Sequence, residues 1–139
     1  MSEPSIETCR PSGNPEKQRS GIGMPANLYL QQFGQLLLDA FGAVAYHVGS
    51  SLTAAIWRDV DVRLMLDDEE YRRQGFGDPA APHGNAKWRA FSMAFSELGR
   101  RMTGLPIDFQ IQDTTVANEQ NNGRRSALFV VTEKPNQKP

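Results

Sequence analysis

In the run Asp59-Val60-Asp61-Val62-Arg63-Leu64-Met65-Leu66, charged residues alternate with apolar ones. Successive side chains of a β-strand point to opposite faces, so this period of two predicts a half-buried strand over 59–66. Val60, Val62 and Leu64 face a core, while Asp59, Asp61 and Arg63 share the other face. The two aspartates then stand ~7 Å apart at their Cα atoms. Carboxylates that close repel one another unless a cation or a proton neutralises them. A pair of divalent cations is the usual reason to build such a site.

The rest of the chain supplies the layers around that strand. Leu30, Phe33, Leu37 and Ala40 recur at helical spacing behind the start residues Pro25 and Asn27, and Gly42 is placed to end the helix. Residues 43–48 read as a short buried strand running into Gly49-Ser50. The mostly apolar segment 51–57 predicts a helical turn or two. Asp67-Asp68-Glu69-Glu70 followed by Arg72-Arg73 suits the dipole of a short helix. After a Gly/Pro/Ala loop over 75–84, Trp88, Phe91, Phe95, Leu98 and Met102 form the stripe of the clearest helix, ended by Gly104 and Pro106. Residues 107–112 predict a third strand with Asp108 between Ile107 and Phe109; 114–122 predict a short helix and 127–132 a fourth strand. The expected fold is α/β (α+β), a small mixed β-sheet with helices packed mainly on one face. Residues 1–24 and 134–139 are expected to be tails of one folded domain over 25–133.

Composition removes several classes of function. A chain of 139 residues makes one domain with a real core. Its formal net charge of -1 argues against a broad surface for long nucleic acid. No apolar run approaches the ~20 residues that span a bilayer, and the leader lacks the apolar centre of a secretory signal. Cys9 is the one cysteine, which excludes an intrachain disulfide and points to a reducing, cytoplasmic setting. Arg72-Arg73 and Arg100-Arg101 read as solvated faces. Arg124-Arg125 follows the turn Asn121-Asn122-Gly123 and reads either as a solvated loop or as a phosphate contact. His47 reads as a packed, hydrogen-bonded residue, and His83 has no second zinc ligand nearby in sequence. No histidine is spaced to suggest a partner for Ser50 or Ser51, and Gly75-x-Gly77 follows no strand, so it makes no dinucleotide fingerprint.

In order along the chain, Gly49-Ser50 follows the first strand, Asp59-Val60-Asp61-Val62 forms the second, and Ile107-Asp108-Phe109 lies on a later one. This pattern, over residues 43–112, resembles the nucleotidyltransferase fold superfamily. The resemblance implies a metal-dependent enzyme that moves a nucleoside monophosphate from a nucleoside triphosphate (NTP, with ATP among the candidates) to a hydroxyl of a protein, RNA or small molecule. It assigns Asp59, Asp61 and Asp108 as catalytic residues and as ligands of a two-metal Mg²⁺ site, with Asp108 also the base. It assigns Gly49, Ser50, Ser51, Arg58 and Arg63 to the nucleotide. Glycine lets backbone N–H groups approach phosphates closely, and a helix from Leu52 to Trp57 would add partial positive charge there.

Three departures qualify the resemblance. Only the eight residues Ser51 to Arg58 separate Gly49-Ser50 from Asp59. Ser51-Leu52 stand where many relatives carry a basic residue, and Arg58 either supplies that charge or is an ordinary strand-flanking arginine. Arg63 shares the face of the acids and either contacts a phosphate or pairs with an acid and weakens metal binding. That last point opens the alternative, a catalytically inactive binding or interaction module on the same fold. The chain has little room for an acceptor-binding domain, so it is expected to borrow one by oligomerising or by binding its target, a protein or tRNA.

Overall fold

The alternation over 59–66 becomes a central strand. In a computed structural model, which describes residues 21–54, 57–121 and 123–131, the elements in order are α1 (Ala26–Phe41), β1 (Ala45–Val48), β2 (Val60–Leu66), α2 (Asp68–Arg73), α3 (Ala86–Thr103), β3 (Ile107–Asp113), α4 (Thr114–Gln120) and β4 (Ser126–Leu128). Single 3₁₀ turns lie at Ser50–Leu52 and Pro82–Gly84. The expected helix over 51–57 is absent from its described part. The 3₁₀ turn stands there instead, and Gly21 N–H donates to the carbonyls of Ser51 and Leu52 at 3.1 and 2.9 Å. The carbonyls that a continuing helix would use are thus held from outside. Ile22, expected in the leader, is 5% exposed and belongs to the core.

The four strands form one mixed sheet in the order β3-β2-β1-β4. β1 runs antiparallel to β2 and β4, whereas β2 and β3 are parallel, joined by a crossover through α2 and α3. Val60, Val62, Leu64, Leu66, Ile107, Phe109 and Ile111 are buried against α1 and α3. The two helices meet where Gly99 lies against Phe33 and Ile107; a Cβ there would come within 3.0 Å of both. Asp67, Asn85 and Asp113 each accept an N–H at a helix start, from Glu70, Trp88 and Val116 respectively, all at 2.8 Å. The fold is therefore α+β with a mixed sheet, as the alternation and stripes suggest. The β2–β3 register sets Asp61 opposite Asp108, and the β1–β2 register sets Val48 opposite Asp61.

β3 lies at the sheet's edge, where unpaired backbone groups invite further strands. α3 covers this edge with polar side chains. Phe109 N–H donates to Ser96 Oγ at 2.8 Å, and the Trp88 indole N–H donates to the Ile111 carbonyl at 2.8 Å. Trp88→Phe leaves that buried carbonyl without its donor, so a loss of about 2 kcal/mol is expected in urea denaturation.

Candidate active site

The site grows from the ends of three neighbouring strands. Asp61 and Asp108 occupy matching positions on β2 and β3 and project from the sheet face opposite α1 and α3. Both carboxylates approach the same guanidinium nitrogen of Arg63. Burial raises the Asp61 carboxyl above its ordinary 3.8; Arg63 opposes the rise, and the negative charges of Asp108 and Asp59 add to it. Asp59 is exposed and precedes β2, which begins at Val60 rather than at Asp59. The three acids therefore form a close pair with a third charge at its rim.

Arg63 fills the space that the pair leaves. One guanidinium nitrogen, Nη1, donates to the carbonyls of Asp108 at 2.7 Å and Val62 at 3.2 Å. The other, Nη2, lies 3.8 Å from Asp61 Oδ1 and 3.5 Å from Asp108 Oδ2. Two backbone anchors fix this cation between the acids.

On the other side of Asp61 lies Gly49. Its φ of 84° and ψ of -170° belong to a backbone region essentially reserved for glycine. A Cβ at this position would collide with the Asp61 carboxylate. The bare backbone of the β1 end thus approaches the acid pair as closely as chain geometry allows. Ser50 is exposed beside it. Ser51 is fully buried, and its hydroxyl is tied to His47 Nε2 at 2.7 Å, so it does not face a ligand. This pairing corrects the expectation that neither serine has a histidine partner: the 3₁₀ turn folds residue 51 back over the end of β1.

Beyond Gly49, a recess of about 380 Å³ opens between the turn and the loop before β4, lined by Gly49, Thr53, Gln120, Asn121 and Arg124. Arg58, the expected phosphate cation, is exposed in the segment before β2 and does not line it. Arg124 does. Arg125, its neighbour, is committed elsewhere, donating to Asn118 Oδ1 at 2.8 Å and lying 5.7 Å from the centre of the Tyr46 ring. Arg124 belongs to the pair that the sequence offered as either a solvated loop or a phosphate contact, whereas Gln120 and Asn121 had little signal beyond the turn at Asn121-Asn122-Gly123. No family model matches the chain, and neither a curated protein nor a solved structure matches it.

The donor chemistry suits a hard cation. Mg²⁺ takes oxygen ligands and is usually held by one or two carboxylates together with substrate phosphates, keeping several waters. Asp61 and Asp108 are such a pair. Among the described residues no three His, Cys, Asp or Glu side chains are grouped to hold a metal by themselves, so a phosphate would have to complete the coordination.

Burial, and secondarily the charge of Arg124, lowers His47 from 6.5 to about 4. The unfolded chain takes up this proton near 6.5 and the folded one only near 4, so acid favours unfolding across that window. Stability is full above pH 6.5 and is lost on descending to pH 4, by about 2 kcal/mol between pH 7 and 5. Urea titrations at those two pH values should show this loss in the wild type and its absence in His47→Gln.

Proposed function

We propose that this protein is a nucleotidyltransferase: it binds a nucleoside triphosphate between Gly49 and Arg124 and transfers the nucleoside monophosphate to a hydroxyl acceptor beside Asp108. The observation that carries the reading is the meeting of Asp61, Asp108 and the backbone of Gly49 at the ends of three adjacent strands. Gly49 and Arg124 line one recess, where Arg124 supplies positive charge for phosphate oxygens. Asp61 and Asp108, with Asp59 at the rim, would hold Mg²⁺ jointly with the triphosphate, and the ion would offset charge on the reacting phosphates. Asp108 accepts the proton of the acceptor hydroxyl as its oxygen bonds to the α-phosphorus. The bond from that phosphorus to the bridging oxygen breaks, and pyrophosphate leaves. Arg63 keeps the two acids at a fixed spacing before substrate arrives.

One observation favours a second reading. A guanidinium anchored by two carbonyls already neutralises the acid pair, which suits a nucleotide-binding module without catalysis. Label from α-phosphate-labelled triphosphates, supplied with Mg²⁺, separates the two. Wild type is expected to transfer label and release pyrophosphate, and the Asp59→Ala/Asp61→Ala protein is not. If both proteins behave alike across protein, tRNA and small-molecule acceptors, the enzyme reading fails.

A further inference from the structure

A groove of about 470 Å³ starts at Asp108 and follows the seam between α3 and β3, lined by Trp88, Arg89, Ser92, Glu97 and Gln110 among others. Its volume is that of a small-molecule site. The side chains at its floor come from one stripe of α3 at four-residue intervals, Trp88, Ser92 and Ser96. Trp88 and Ser96 are spent on the backbone of β3. Ser92, between them, is not. It is 8% exposed, and its buried hydroxyl meets no hydrogen-bond partner among the described residues. Native folds rarely keep such a group unpaired, and this one belongs to a residue that lines the same groove as Asp108.

We propose that the groove is the acceptor site, and that it takes a small polyhydroxylated molecule with one anionic group, the chemistry of a sugar phosphate. The role of acceptor rests on the nucleotidyl-transfer reading; binding in the groove does not. A polypeptide adding as a strand is disfavoured, because the Phe109 N–H and the Ile111 carbonyl that it would pair with are already bonded by α3. A long nucleic acid is disfavoured by Glu97 and Asp108 in the lining and by the net charge of -1. What remains is recognition by side chains. The Gln110 amide can hydrogen-bond a ligand hydroxyl, and the buried Ser92 hydroxyl can do so once its side chain rotates toward the groove. Arg89 donates one N–H to the His83 carbonyl at 2.8 Å and has no acidic partner among the described residues, which leaves it for an anion. Arg100 is instead paired with Glu97 at 3.1 Å. A ligand whose anionic end reaches Arg89 can place a hydroxyl at the Asp108 end, where that oxygen bonds to the α-phosphorus, its proton passes to Asp108 and pyrophosphate departs.

The test is an amide NMR titration of the full chain with ribose 5-phosphate, glucose 6-phosphate, ribose and inorganic phosphate, without nucleotide or metal. Either sugar phosphate should shift amides of α3 and β3 around Ser92 and Gln110, with millimolar affinity. Arg89→Gln should weaken sugar phosphates about tenfold while leaving ribose unchanged, and Ser92→Ala should weaken both classes several-fold. Ser92→Ala removes an unpaired buried hydroxyl, so its Tm should be equal to or above that of the wild type. Shifts that inorganic phosphate reproduces in full, or no shifts in the groove up to about 10 mM, overturn the proposal. Groove binding without any label transfer upholds this site and rejects the transfer reading. Label transfer to small acceptors with KM unchanged in both variants does the reverse.

Discussion

Asp61→Asn is expected to lower nucleotidyl transfer by about 10³-fold, the scale of losing one charge-stabilising group at a reaction centre. It should do so without unfolding the protein. The Asp61 carboxyl titrates above its ordinary 3.8 in the fold, chiefly because of burial. The folded state therefore holds this proton more tightly than the unfolded chain, and ionisation of Asp61 costs stability as pH rises through its folded pKa. The amide keeps the shape and removes that cost. Arg63 retains the Asp108 carboxylate at 3.5 Å and both of its carbonyl anchors. Wild-type and Asp61→Asn proteins should then show equal stability below pH 3.8, and the variant should be equal or more stable at pH 7. Transfer rates and urea midpoints from the same preparations check both halves of the expectation.

Gly49→Ala is expected to damage both stability and ligand binding. Two costs coincide. The backbone at φ 84° and ψ -170° is strained for any residue with a Cβ, at roughly 1–3 kcal/mol. The added carbon would also collide with the Asp61 carboxylate, so either the strand end or the acid must move. A fall in Tm of about 10 °C is expected for a domain of this size. Gly84→Ala is the control, since a Cβ there meets nothing within 4 Å, and its Tm should stay within a few degrees of the wild type. Comparable melting of the two variants would show that the close approach at Gly49 does not constrain the fold.

Strands and helices were legible where one period dominates. The alternation at 59–66 leaves one arrangement that buries the apolar face. The stripe from Trp88 to Met102 located the helix but not its innermost face: Ser92, Ser96, Gly99 and Thr103 are buried with Trp88, while Phe91, Phe95, Leu98 and Met102 are half-buried beside them. That Arg63 shares the face of the acids followed from the same alternation. Its two carbonyl anchors did not, because they depend on β3 arriving parallel beside β2 after a crossover of 40 residues (67–106). The Asp61–Asp108 pairing has the same origin: the pattern says which face each acid takes, and only the register says they stand opposite. The segment after Ser50 was misleading. Its small and apolar residues suit a helix, but the carbonyls of Ser51 and Leu52 are taken by Gly21, a contact across 30 residues. That turn also buries Ser51 against His47, and Arg124 rather than Arg58 lines the recess beside it. Ser92 carried no sequence signal, since a serine on a helix is ordinary until its neighbours on the stripe are seen to be engaged.

In the proposed reading, Asp61 and Asp108 form a divalent-cation and triphosphate site beside Gly49. Calorimetric titration of Mg²⁺-ATP into the wild type, Asp61→Asn and Asp108→Asn, each repeated with ATP and a chelator, tests it most directly. Binding heat is expected in the wild type, where it requires the metal, and it is lost in both folded variants. Heat that is unchanged by the chelator, or that is the same in all three proteins, would contradict it.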